Sequence, residues 1–203
     1  MSSWILALSA SYLVGAIPTG FLVVKWFTQQ DVRTIGSGNI GATNVTRAAG
    51  PWLGLVVFFL DAGKGVIATL LIGPRMLEDT VTVRLACGLA AVIGHNFPIT
   101  LGCKGGKGVA TTIGVLLSSV PLVGLLYLTI WGICFAPWRY VSVASLMAAI
   151  SIPILLWTFK HPTSAIWLGG LLAMLIFIRH QSNIRRLLDG TEPRTARRPT
   201  KTG

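Results

Sequence analysis

Arg47, Lys104 and Lys107 sit in two glycine-rich polar segments, GSGNIGATNVTR at residues 36–47 and GHNFPITLGCKGGKGVATT at residues 94–112. The first segment offers Ser37, Asn39, Thr43 and Asn44 as hydrogen-bond donors, with Arg47 as a guanidinium that can clamp a phosphate bidentately. Gly38 in the first segment, and Gly105, Gly106 and Gly108 around the lysines of the second, let backbone N–H groups converge. Such residues together suit an anion site. A helix opening at Val109 would add the anion preference of its N-terminus. His95, just before Asn96-Phe97-Pro98, supplies a group that can take a proton, and it also fits a purely structural, hydrogen-bonded role.

Two nucleotide motifs are mimicked and fail. Gly36, Gly38 and Gly41 match G-x-G-x-x-G, but the dinucleotide reading needs a preceding strand in a βαβ unit, and none is visible. The second segment resembles a phosphate-binding loop ending in Gly-Lys-Ser/Thr, yet that spacing cannot be aligned on residues 102–111. Further along, Ser142 and Ser145 are three apart at the start of an apolar run, a spacing that serves helix packing as well as phosphate contact. Arg179, His180 and Asn183 open a basic stretch that can also lie on a membrane surface. Asp61 and Lys64 stand inside an apolar run at the same i, i+3 spacing. Each alone would cost about 2.5–3.5 kcal/mol at mid-bilayer, so a mutual pair is expected, structural rather than chemical on balance.

The surrounding sequence is that of a membrane protein. Hydrophobic residues are 53% and charged ones 11%, with a mean hydropathy of +0.71, which excludes an ordinary soluble domain. The net charge of +11 does not point to nucleic acid, because seven of the 17 Lys and Arg follow the last apolar run. The N-terminal run at 4–26 has no preceding basic residue and carries its positive charge, Lys25, at its far end, so it reads as a retained helix rather than a signal peptide. Cys87, Cys103 and Cys134 lack metal-ligand spacing, and Cys103 reads as a bystander thiol.

Apolar runs fall at 4–26, 51–73, 82–100, 108–135, 141–159 and 162–178. The fourth is 28 residues, about 42 Å as one helix against a bilayer core of about 30 Å, and Pro121 follows Ser118-Ser119 at its middle. A turn at Pro121 places Lys25, Arg33, Arg47, Lys104, Lys107, Arg139 and the basic tail on one side, 13 of the 17 cations. The expectation is therefore an all-α integral membrane protein of seven membrane helices, segments four and five short, with the N-terminus out and the C-terminus in. One membrane domain spans 1–190, followed by a basic, disordered cytoplasmic tail at 191–203.

In order, and over residues 4–192, the two glycine-rich segments, RYVSVAS at 139–145 and RHQSNIRRLLDGTE at 179–192 resemble the signatures of the bacterial acyl-phosphate-dependent glycerol-3-phosphate acyltransferases. The resemblance implies transfer of a fatty acyl group from acyl phosphate to the sn-1 hydroxyl of glycerol 3-phosphate, giving lysophosphatidic acid and phosphate. It implies catalytic roles for His95, Lys104, Ser142 and Asn183. It implies substrate-phosphate binding by Ser37, Gly38, Asn39, Thr43, Asn44, Arg47, Gly105, Gly106, Lys107, Ser145 and His180, with neither metal nor cofactor. Its setting would be the bacterial inner membrane with the site on the cytoplasmic side. Its partners would be both substrates, membrane lipid and the soluble phosphate acyltransferase that makes acyl phosphate, but no nucleic acid.

The common acyltransferase pattern of His followed five residues later by Asp is absent: Thr100, Ile166 and Arg185 stand at those places. Direct attack by the glycerol hydroxyl is the reading that follows, with His95 or a substrate phosphate oxygen taking the proton. A transporter for a phosphorylated solute and a non-catalytic lipid-binding scaffold are the rival classes. Product formation by purified protein separates all three.

Overall fold

The computed structural model describes residues 1–195, and among them every regular element is helical. The main helices are α1 (Ser2–Gly15), α2 (Thr19–Thr28), α3 (Ala42–Ala49), α4 (Pro51–Ile67), α5 (Gly73–Met76) and α6 (Val81–Asn96). They continue with α7 (Val109–Ser119), α8 (Pro121–Trp138), α9 (Val141–Thr158), α10 (Thr163–Arg179) and α11 (Gln181–Leu188). Four spans are long and apolar enough to cross a membrane: Ser2–Thr28, Pro51–Met76, Pro121–Trp138 and Val141–Thr158. A fifth is reached if Thr163–Arg179 and Gln181–Leu188, bent by 58°, count as one.

The first apolar run is not a single rod. Pro18 lacks an N–H and separates α1 from α2, and the Ile17 carbonyl at this break accepts from Lys64 Nζ at 2.7 Å. The second run is continuous but passes through one π-helical stretch, Ala68–Ile72, between α4 and α5. In the long fourth run the chain does break before Pro121. Val120 leaves the helical conformation (φ -144°, ψ 73°), and the backbone of Leu116 and Leu117 lies so near Gly124 that a Cβ there would meet it at 2.7–2.9 Å, so α8 starts against the end of α7. The 11 residues of α7 make about 16 Å of helix, short as expected. Segment five departs from expectation: α8 runs 18 residues, through Pro137 to Trp138, and is long enough to cross.

Small residues bring the helices together, as they must where lipid offers no hydrophobic drive for association. The backbone of Ala91 lies where a Cβ on Gly15 would go, and that of Tyr12 where one on Gly94 would go, which seats α1 on α6. Gly65 and Gly114 do the same for α4 and α7. A buried core of Leu85, Leu116, Tyr127, Ile152, Leu156 and Leu172 joins α6 to α10.

The expected disordered tail begins too early. Residues 191–195 pack back onto the molecule: Thr191 N donates to Arg186 O at 2.8 Å, and Thr195 N to Arg139 O at 2.9 Å. The rest of that tail, 196–203, lies outside the described residues.

Candidate active site

The chemistry-bearing residues gather because four helices present their ends to one place. His95 is at the end of α6, Lys107 just before α7, Ser142 in the first turn of α9, and Arg179 and His180 at the end of α10. The loop at 36–41 completes the ring. It has no helix to satisfy its backbone, and Asn44 does so instead: its Nδ2 donates to the carbonyls of Val32, Ile35 and Asn39 at 2.9–3.2 Å, and its Oδ1 accepts from Ser37 N at 2.9 Å. The Asn44 amide is thus consumed in shaping the loop, not offered to a phosphate.

Gly105 O is where three remote segments meet. It accepts from Asn39 Nδ2 at 3.2 Å and from Arg179 Nη2 at 2.9 Å, while Arg179 Nε donates to Gly106 O at 2.9 Å. The same guanidinium stacks over Phe97, 5.1 Å from the ring centroid. This close seating needs glycines. Gly105 N and Gly106 N donate to Asn96 O and His95 O, and a Cβ on Gly106 would fall well under 3.0 Å from His95 Nε2.

The result is a cavity of about 710 Å³ lined by both polar and apolar side chains. Of the residues that the sequence reading singles out, Ser37, Asn39, Thr43, Asn44, Arg47, His95, Lys107, Ser142, Ser145, His180 and Asn183 line it. Leu55, Phe58, Leu128, Trp131 and Phe135 form its apolar wall. Gly38, Gly105 and Gly106 stand behind the lining. Lys104 is not brought in: its side chain is exposed and outside the cavity, because the loop turns at Gly102 and Cys103, both with positive φ, before entering at Gly105.

Several lining groups already have partners. Ser145 Oγ donates to Val141 O at 2.8 Å and accepts from Trp131 Nε1 at 3.2 Å, so its hydroxyl is engaged in holding the apolar wall. His180 is buried with Nδ1 at 2.7 Å from Ile176 O. Lys107 Nζ donates to Asn183 Oδ1, and Asn183 Nδ2 donates to Glu192 Oε1 at 2.6 Å. Burial depresses the Lys107 ammonium to about 8, with the charges of Arg186, Arg47 and Arg179 adding to that and Glu192 opposing it. Arg47 has no hydrogen bond or ion pair among the described residues and faces the cavity ready for an anion.

Two residues missed as site members belong to it. Asp61 lines the cavity, bonded to Lys64 Nζ at 2.7 Å and to Thr19 Oγ1, with His95 Nδ1 3.4 Å away. Its pair with Lys64 was legible, but its reach to His95 depends on how α4 meets α6. Glu192 is buried and accepts from Ser142 Oγ at 2.8 Å and from Arg186 Nε at 2.8 Å. Its only advance signal is a lone acid in a basic tail.

Comparison with known proteins places this arrangement among relatives. Residues 5–190 match the family described as glycerol-3-phosphate acyltransferase. The chain is 46% identical over 190 residues to the glycerol-3-phosphate acyltransferase of Rhodospirillum rubrum, covering 91% of this chain and 88% of that one. It is 42% identical over 195 residues to that of Jannaschia sp., covering 95% and 94%. Among solved structures it superposes on PlsY (YgiH), an integral membrane glycerol 3-phosphate acyltransferase, in the glycerol 3-phosphate form, with a TM-score of 0.89, 41% identity and 96% of each chain covered. The lysophosphatidic acid form of PlsY gives a TM-score of 0.86 at 40% identity, again with 96% of each chain covered.

Proposed function

We propose that this chain, which belongs to the glycerol-3-phosphate acyltransferase family, moves a fatty acyl group from acyl phosphate to the sn-1 hydroxyl of glycerol 3-phosphate. The observation that carries this reading is one cavity that combines cations and hydroxyls with apolar side chains in its lining. The acyl tail lies along Phe58, Leu128 and Trp131. The phosphates are met by Arg47, Lys107, Ser142, His180 and Asn183, with Ser37, Asn39 and Thr43 beside them. Two anions brought together repel unless fixed positive charge offsets them, which is what this lining supplies.

The glycerol hydroxyl attacks the acyl carbonyl carbon. A C–O ester bond forms, the C–O bond to phosphate breaks, and phosphate leaves with the electron pair. The hydroxyl proton goes to His95, held beside Asp61, or to a phosphate oxygen of the substrate. Proximity and charge stabilisation carry the rate, because acyl phosphate is already activated. No metal is required in this scheme: Asp61 is engaged by Lys64, and Glu192 by Ser142, Asn183 and Arg186.

Purified protein should make lysophosphatidic acid from acyl phosphate in excess EDTA, with phosphate as a competitive inhibitor and negligible turnover of acyl-CoA. Comparable rates with acyl-CoA, or total loss in EDTA, would overturn the donor assignment. In the cell the donor would come from a soluble phosphate acyltransferase. That supply places the site on the cytoplasmic face of a bacterial inner membrane.

Seven membrane segments, N-terminus out and C-terminus in, complete the reading, with α7 and α8 as the fourth and fifth. A reporter fused after Gly203 is expected in the cytoplasm and one before Ser2 in the periplasm. Both on the same side would refute this topology.

A further inference from the structure

We propose that Glu192 is a positioning residue for the transfer, fixing the Asn183 amide so that its oxygen orients the Lys107 ammonium toward substrate phosphate. The inference rests on the acyltransferase reading and adds a residue to it. Its chemical basis is the order of groups: Glu192 carboxylate, Asn183 amide, Lys107 ammonium. A carboxylate only accepts hydrogen bonds and an ammonium only donates them. An asparagine between the two has one consistent orientation, nitrogen to Glu192 and oxygen to Lys107. With a neutral amide at 192, that side would accept either face of Asn183, leaving only the Lys107 donors to hold the orientation and so loosening it.

Glu192 is built in as a fixed part. Its second oxygen accepts from Arg186, its backbone N–H bonds Arg186 O at 3.1 Å, and the strap beyond it is tied down at both following contacts. Arg194 Nε donates to Tyr140 Oη at 2.9 Å and its guanidinium stacks on that ring, while Thr195 N reaches Arg139 O. Burial alone would raise the Glu192 carboxyl, but hydrogen bonds from Asn183, Ser142 and Arg186 outweigh it and hold it below the ordinary range, so it is an anion at neutral pH.

The charges around Lys107 come from every side. Arg47 faces it from α3, Arg179 and His180 from the end of α10, and Arg186 from α11. Asp61 on α4, His95 on α6 and Arg194 in the strap line the same cavity. Of the two carboxylates among these described residues, Asp61 is held by Lys64, which leaves Glu192 as the anion that keeps Lys107 protonated. Lys107 acts in its charged form, present below its pKa and lost above it. Removing the anion lowers that pKa, so activity should fail at lower pH.

The test is Glu192→Gln in detergent-purified full-length protein, with Glu192→Asp as the charge-keeping control. Two readouts are needed: kcat and KM against pH, and the pH dependence of Lys107 labelling by an amine-reactive reagent, read by mass spectrometry. E192Q is expected to lower kcat about tenfold. It should also move the alkaline limb and the labelling midpoint down by about one pH unit, with E192D restoring much of both. A lowered KM with kcat and both pH profiles unchanged would instead make Glu192 a competitor for phosphate and overturn the proposal. Unchanged profiles with only a lower melting temperature would overturn it too. Labelling does not depend on turnover, so an inactive wild type would count against the acyltransferase reading while this inference is still decided.

Discussion

Lys107→Ala is expected to reduce kcat/KM by about 100-fold, while Lys104→Ala, three residues earlier on the same loop, should change it by no more than about twofold. The two lysines are equivalent by composition, and the sequence reading assigns catalysis to Lys104. Their surroundings separate them. Lys107 enters the cavity and reaches Asn183, whereas Lys104 is exposed on the outer side of the turn. A cation facing two phosphates in a partly dry site stabilises charge that an exposed, solvent-screened ammonium cannot. Steady-state assays of the two variants with acyl phosphate and glycerol 3-phosphate decide the matter. A greater loss from Lys104→Ala would put the clamp on the wrong lysine.

Gly106→Ala should be as damaging although it adds a single methyl. The new Cβ would collide with the His95 imidazole, which cannot retreat freely because the ring is buried with Asp61 on its other nitrogen. Either the ring moves or the loop carrying Lys107 lifts. Both take apart the arrangement of His95 and Lys107, and an activity loss of about 100-fold is expected, along with overpacking strain of about 1–3 kcal/mol. Gly63→Ala is the control, since a Cβ there meets nothing within 4 Å, and it should keep both activity and melting temperature. A Gly106→Ala enzyme with near-normal turnover would mean that the position of His95 does not matter to the reaction.

How far the site was legible depended on whether a residue's role was local. Arg47 and Lys107 were legible as anion-site candidates because charge and donors near glycine are visible in short stretches, whereas Ser142 and Asn183 entered through the family resemblance. Asn44 and Ser145 belong to the same stretches but turned inward, one to satisfy the carbonyls of an irregular loop and the other to hold Trp131. Sequence proximity cannot separate a donor that faces a ligand from one that faces its own backbone. Arg179 was placed beside the site, but its grip on Gly105 and Gly106 spans more than 70 residues and follows from helix packing alone. The helical class and the break at Pro121 were readable from hydropathy, charge and one proline. The ordered strap at 191–195 was not, because its composition is that of a solvated tail.

The break at Pro18 has a consequence for how the protein is made. As α4 enters the bilayer it carries an ammonium with one carboxylate beside it, and the remaining donors of Lys64 Nζ find their acceptors only on the first segment, at Ile17 O and Thr19 Oγ1. The N-terminal segment therefore acts as a docking clamp that must wait in the membrane for its partner, and the two segments come to rest as a unit. Biogenesis is in this way coupled to the site, because the carboxylate seated by that docking is the one facing His95. A chain inserted without its first segment would leave Lys64 short of acceptors in lipid.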